Sequence, residues 1–328
     1  TLFPYTTLFR SHRAVRDQDM IREGQDFCKA ECRLDTEPEM VLSAVIHGKG
    51  KTLMIHQKPI SRSSEFIGKL NAVLFAPSDL ELFEAPPKVR RRLMDVEIGK
   101  VSPRYMQALS AMMKLLKERN SLLKREHVDN AMLEVLDQQM IEQQLTIITM
   151  RRQFIARMNE SLSRMYSTLA EEEAQVRAAY HTITEQTGPA AMREEISRKL
   201  LENRERDRIL KTTSSGVHRD DLSFQLNGRD VLSYASQGQR RMIVLAWKLS
   251  LIDFIADQLH ELPVLLLDDV LSELDQQKRV NLFSLISPEI QTFITTTEIA
   301  DLLPFLSRKV KIAEIDSGQI RPWKEDMN

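Results

Sequence analysis

Four apolar residues, Val264, Leu265, Leu266 and Leu267, run directly into two carboxylates, Asp268 and Asp269. A continuous apolar run suits a parallel strand covered on both faces. The C-terminal edge of such a strand is where open α/β sheets place ligands. Two acids delivered there are costly to bury alone, and a bound divalent cation is the natural compensation. In phosphoryl-transfer chemistry Asp268 would hold Mg2+ through water, and Asp269 would polarise the attacking water. Upstream, Ser236, Gln237, Gly238 and Gln239 precede a strongly helical run, so their backbone N–H groups can face an anion. Ordinary helix capping competes with both readings: an acid or a serine before a helix is a common N-cap. Capping explains Ser236 but gives no reason for the whole tetrad.

The elements that must position these groups follow from periodicity. Short strands fit 41–46, 53–57 and 72–75, and prolines before 88–95 mark a helix start carrying Arg90, Arg91 and Arg92. From Arg104 to Thr187 the chain contains no Gly and no Pro. Within it Leu109, Met112, Leu116 and Leu123, then Ile141, Leu145, Ile148, Ile155, Met158, Leu162, Met165 and Leu169, recur at helical spacings. A break near 124–130 lets two long helices fold back on each other as an antiparallel arm. After Gly188 the mixed pattern returns. A helix fits 190–209, a strand the alternation Leu222, Phe224, Leu226, and a helix 239–259. Then come the carboxylate strand, a helix after Asp275, and strands at 291–297 and 309–315. Strands alternating with helices imply a largely parallel α/β sheet interrupted by the arm.

Composition narrows the function classes. Lys plus Arg (46) balance Asp plus Glu (47), so any basic surface is a local patch. Cys28 and Cys32 are the only cysteines and read as thiols in a reducing cytosol rather than half of a metal site. No HExxH occurs, and no apolar run reaches the length needed to span a bilayer, so the expected location is cytoplasmic. Aromatic residues make up 6% of the chain, too few for a base-stacking platform. Residues 1–11, "TLFPYTTLFRS", resemble the conceptual translation of a sequencing adapter and are set aside.

The signature tetrad, the apolar strand with paired acids and then "SELD", in that order, resemble the ABC-type ATPases. The wording "GVHRDDL", "LFAPSDLEL", "RRRLMD" and "LLLDDVLSELD", with "SHR" near the start, is similar to that of the RecF family. Val217 stands where that family usually has Pro. The resemblance implies an ABC-ATPase-like α/β head with a mixed sheet, interrupted by an antiparallel helical arm. On that reading 12–102 and 188–328 form the head and 103–187 the arm. It also implies ATP and Mg2+ as cofactors, bound between two protomers. Ser236, Gln237, Gly238 and Gln239 of one protomer would cap the partner's γ-phosphate, Asp275 would lie across the interface, and Thr297 would occupy the switch position. DNA, single-stranded or gapped duplex, is the implied partner, with Arg90, Arg91 and Arg92 as candidate phosphate contacts. Pairing of these arginines with acids such as Asp95 is the competing reading. RecO and RecR are further implied partners in gap repair and the SOS response.

One part of the expected machinery is missing. "HGKGKT" ends like a phosphate loop, but Val45 stands where G-x-x-x-x-G-K-[ST] requires Gly, and the segment reads as a hairpin. The expectation is an N-terminally truncated chain that binds ATP weakly and does not hydrolyse it. A transporter ATPase subunit lacks the arm and normally carries a His switch. An SMC-like scaffold has much longer arms with a hinge.

Overall fold

In the computed structural model the described residues are 16–61, 65–297, 299, 302 and 310–322. The adapter-like stretch and "SHR" lie outside them. Strands β1 (Phe27–Leu34), β2 (Met40–His47), β3 (Gly50–Ile55) and β4 (Lys58–Pro59) form an antiparallel sheet in that order. Gly50 pairs with His47, so "HGKGKT" is the β2–β3 hairpin, as its pattern indicated. The strand expected at 53–57 stops at Ile55 because His56 and Gln57 both adopt positive φ and turn the chain into β4. Cys28 and Cys32 are free and half-buried on β1. Four strand positions separate their Cα atoms by roughly 13 Å, too far for a disulfide.

The functional strands form a second, parallel sheet. β5 (Ala72–Phe75) flanks one side of the carboxylate strand, Phe75 opposite Leu267. Helix α1 (Pro87–Val101) follows, beginning at its prolines as read. Helices α2 (Pro103–Leu123) and α3 (Asn130–Ala170) are the arm, and Asp129 caps α3 by accepting from the Ala131 and Met132 amides. The apolar stripe is buried throughout, apart from half-buried Leu145, and Leu122, Leu123, Leu133 and Leu136 form a separate small core at the tip.

The Gly- and Pro-free stretch is not helical to its end. Residues Val176–His181 form β6, paired antiparallel with β7 (Asp221–Leu226). Absence of breakers permits a helix but does not compel one, and the β-sheet partner decides. The single helix expected at 190–209 is two, α4 (Pro189–Glu202) and α5 (Arg204–Leu210). β8 (Arg229–Asp230) and α6 (Val231–Tyr234) lead into α7 (Gln237–Leu259). Met242 to Ile252 are buried without interruption, marking α7 as the central helix. Its Trp247 packs edge-on against Phe154 of α3 and Phe224 of β7, so the long arm helix lies on the head rather than projecting free of it. Then come β9 (Val264–Asp268), α8 (Gln276–Leu285) and β10 (Thr292–Thr295), which completes the parallel sheet in the order β10-β9-β5. β11 (Ala313–Asp316) and β12 (Gln319–Pro322) form a hairpin where one strand was expected. Among the described residues no helix is long and apolar enough to cross a membrane.

A buried ionic hub joins arm to head. Arg151 of α3, 1% exposed, donates to Asp95 of α1 (2.8 Å), Asp220 (2.8 Å), the Tyr105 hydroxyl of α2 (2.9 Å) and the Val217 carbonyl (3.1 Å). Tyr180 of β6 donates its hydroxyl to Asp220. Burial pushes the Asp220 carboxyl up to about 6, against the opposing pull of Arg151. The "HRDD" segment thus serves as a structural junction. Gly216 is required there: its φ is +128°, and a Cβ would meet Gln144 Oε1 at 2.8 Å. The Val217 amide donates to that same oxygen at 3.1 Å, a bond that proline could not make.

Removing one partner of the hub strands the others. Arg151→Met is expected to cost about 3–5 kcal/mol, because Asp95 and Asp220 would remain buried without a cation; a urea unfolding midpoint close to wild type would contradict this. His218 supplies a pH test. Burial lowers its pKa to about 4, while its Nε2–H donates to the Thr213 carbonyl at 3.0 Å. Its stabilising contribution is therefore complete above the unfolded value near 6.5 and is lost as pH falls through that value towards 4. The loss is about 2 kcal/mol between pH 7 and pH 5, and His218→Gln should flatten that part of the stability profile.

Candidate nucleotide site

β9 is central in its sheet and carries alternating buried Leu265 and Leu267, so it is anchored up to its last residue. Asp268 ends it opposite Thr295, half-buried, and its Oδ1 accepts from the Thr295 hydroxyl at 2.6 Å. Asp269 follows in the left-handed region (φ 54°), a conformation Asp tolerates better than most residues. Its amide faces both the carbonyl and the hydroxyl of Thr295. The turn is closed by Ser272, whose hydroxyl donates to the Asp269 carbonyl at 2.9 Å. The two carboxylates therefore stand at the C-terminal edge of a parallel sheet, half-buried and rigidly held.

Ser236 is the N-cap of α7. Its hydroxyl accepts from the Gln239 amide at 3.2 Å, and the Gln239 side chain accepts from the Ser236 amide at 3.0 Å, a reciprocal capping box. The capping role considered from sequence is thus real, and it coexists with an outward-facing helix end: Ser236, Gln237 and Gly238 are exposed and Gln239 half-buried. A Cβ at Gly238 would meet only Ser236 Oγ, 4.0 Å away, so packing within the chain gives no reason for glycine there.

Asp275 caps α8, accepting from the Lys278 amide at 2.9 Å and from Lys278 Nζ at 2.5 Å. The hydrogen bonds from Lys278 hold its carboxyl below the usual range. Lys278 also lines a cavity of about 260 Å3 with Gly238, Gln239, Arg241 and Glu172, so the Asp275 loop and the Ser236 helix end are neighbours. Arg241 lines a second, smaller cavity with Phe75, Asp79 and Val270, next to the carboxylate turn. The described residues hold no cluster of three or more metal-ligating side chains. Asp268 suits Mg2+ as one hard oxygen donor beside a nucleotide's phosphates, the usual way that ion is held.

Thr297 is exposed, two residues beyond the end of β10, and the Thr295 hydroxyl donates to Asp268. The register of β10 against β9 sets Thr295 opposite Asp268. Arg90 and Arg91 are turned into the fold. Arg90 makes a bidentate pair with Asp221 (2.8 and 2.7 Å) and also donates to the Ala85 carbonyl, while Arg91 donates to the Asp220 carbonyl at 2.5 Å. Pairing with acids was the competing reading of these arginines. The partner is Asp221 rather than Asp95, which belongs to Arg151.

Comparison with known proteins places this geometry. No family model matches the chain. The DNA replication and repair protein RecF of Lactobacillus delbrueckii subsp. bulgaricus is 36% identical over 333 aligned residues, covering 99% of this chain and 87% of that protein. RecF of Geobacillus thermodenitrificans is 37% identical over 319 residues, and that of Bacillus subtilis 35% over 322, each covering at least 95% of this chain. Among solved structures, the recombination mediator protein RecF superposes in its ATP form with a TM-score of 0.86 and in its ATPrS form with 0.82. Each is 26% identical and covers 96% of this chain and 85% of its own. An SMC head bound to the winged-helix domain of ScpA shares the fold alone, at TM-score 0.51 and 13% identity. The mixed α/β fold is therefore that of ABC-type ATPase heads, and the chain belongs to the RecF family of DNA replication and repair proteins.

Proposed function

We propose that this chain is the ATP-responsive, DNA-directed component of recombinational gap repair, working as a homodimer that closes on ATP. The observation that carries this reading is the outward-facing Ser236–Gln239 helix end with open space at Gly238. A helix N-terminus with exposed amides attracts a phosphate, and a side chain at 238 would obstruct its approach. No described residue fills that space, which favours a nucleotide presented by a second copy. The RecF relatives solved in ATP and ATPrS forms support the ligand class.

On this reading Asp268, oriented by the Thr295 hydroxyl, would hold Mg2+ through water, and Asp269 would polarise the attacking water. Mg2+, when bound, neutralises charge developing on the phosphates. Ser236 and the Gly238 amide stabilise the terminal phosphate in trans, and Asp275 stands at the dimer face. Association and ATP binding are then linked, each strengthening the other. DNA phosphate contacts fall to cations other than Arg90 and Arg91, which are committed within the fold. RecO and RecR are the expected partners, in the cytoplasm. The division into head segments at 12–102 and 188–328, with an arm between, accompanies this proposal.

The 328 residues contain no G-x-x-x-x-G-K-[ST] segment. ATP turnover by this chain should therefore stay at background, and turnover abolished by Asp268→Ala would overturn that. To test dimerisation, the N-terminal segment of the RecF relative solved in its ATP form can be joined to this chain. ATP should then dimerise the chimaera in light scattering, and Ser236→Arg or Gly238→Val should abolish dimerisation without unfolding it. Undiminished dimerisation in either variant would refute the trans assignment. Gly238→Ala is expected to raise stability slightly, by about 0.5–1 kcal/mol, as Ala replaces Gly in a helix.

A further inference from the structure

The tip of the arm carries a second buried ionic network, and the surface it holds in place is apolar. Arg119 of α2, 0% exposed, donates to Asp137 of α3 (2.7 Å), to Asp207 of α5 (2.7 Å) and to the Thr213 hydroxyl (2.9 Å). Asp207, also 0% exposed, accepts from both the amide and the hydroxyl of Ser214, and Arg204 adds a pair to Asp137 at 3.1 Å. Asn120 of α2 accepts from the amide and hydroxyl of Thr213. Arg208 reaches Asn130 at the start of α3. The seven-residue helix α5 is held by these polar contacts, although Arg119 Nη2, Arg204 Nε and Arg208 Nε are buried with no partner among the described residues.

The exposed side of this helix carries Ile209 and Leu210 beside Glu205 and Arg206. Ile209 is 80% exposed and Leu210 51%, with Leu201 of the preceding helix at 60%. A short helix held by its polar side, with large aliphatic side chains facing water, is the reverse of the usual arrangement. Scattered exposed apolar residues need no explanation, but a rigidly presented group of them marks an interaction surface.

The charges around it identify the occupant. Arg206 and Lys211 flank Ile209 and Leu210 in sequence, and both are exposed. Lys117 and Lys124 lie three residues before and four after Asn120, so they share the face of α2 that meets Thr213. Among the described residues no carboxylate lies within ion-pairing distance of these four cations. Of the acids near these cations in sequence, Glu205 pairs with Arg208, Glu202 with Arg198, Glu118 with Lys114 and Asp207 with Arg119, while Glu126 is exposed. A nucleic acid would use the cations but gain nothing from Ile209 and Leu210, since phosphate contacts are polar and base stacking calls for aromatic or guanidinium planes. An acidic segment with interspersed aliphatic or aromatic residues uses both.

We infer that the Ile209–Leu210 face of α5, framed by Lys117, Lys124, Arg206 and Lys211, is a docking site for an acidic, amphipathic segment of a partner protein. The site is remote in sequence from Ser236 and Asp268 and does not rest on the ATPase proposal. Its occupant binds by helix-in-groove or extended contact with apolar anchors and a carboxylate rim.

The test uses the 328-residue chain and a fluorescein-labelled acidic peptide of about twelve residues with Leu or Phe at i, i+3, i+4 and i+7. Fluorescence anisotropy should show saturable binding that weakens with salt. Ile209→Ser with Leu210→Ser, and separately Lys124→Glu with Lys211→Glu, should each weaken it by about tenfold or more, with unchanged thermal transitions. A labelled DNA oligonucleotide serves as the second arm. Absence of peptide binding, or equal binding by wild type and both variants, overturns the proposal. DNA binding lost in the charge-reversed variant without any peptide binding overturns it too, and would assign the face to nucleic acid.

Discussion

Burial of the Arg151 guanidinium is the constraint on which the rest of the structure depends. A cation taken fully out of water must find acceptors in fixed directions, and Arg151 draws them from α1, α2, the segment before β7 and, through Asp220, from β6. The acceptors come from α1, α2 and the segment before β7, so satisfying the ion fixes the arm on the head. The neighbouring pair Arg90–Asp221 ties the start of α1 to the start of β7 in the same region. Hydrophobic burial alone would tolerate sliding of the long helix α3 along α7, whereas directed ionic hydrogen bonds specify one register.

The candidate nucleotide groups profit from that rigidity because all sit at ends of anchored elements. Asp268 ends a strand with neighbours on both sides, Ser236 caps a helix buried over most of its length, and Asp275 caps α8. End positions combine fixed backbone with exposure, so a side chain can be both preorganised and accessible. The aromatic contacts of Trp247 with Phe154 and Phe224 carry the same rigidity from the arm into α7. The site and the Arg151 hub are thus parts of one packed unit rather than separate modules.

Motif reading and structure part company over what the conserved-looking charges contact. "RRRLMD" and "GVHRDDL" were legible as a family's wording, and the arginines invited a nucleic-acid role. Their partners lie about 130 positions away in sequence, Arg90 to Asp221 and Arg91 to the Asp220 carbonyl. No local pattern announces such a pairing, because an ion pair depends on distance in space and leaves no periodicity. Thr295 is a similar case, set opposite Asp268 by strand register. The strand at Val176–His181 was hidden within a helix-permissive stretch for the same reason: its partner, β7, comes much later in the chain.

By itself the sequence determined the alternation of strands and helices in outline, the long paired helices, the carboxylate strand, the capped helix after it and the family wording that names the chemistry. These are local properties, carried by apolar period, by breakers and by short motifs, and any one window of the chain contains them. Only the tertiary structure decided that Ser236–Gly238 faces outward, that Arg90 and Arg91 face inward, that the Thr295 hydroxyl meets Asp268, and that Ile209 and Leu210 of α5 face water. Those outcomes turn on which distant groups compete for the same buried acceptor or the same covered face, and that competition is settled only when the chain is packed.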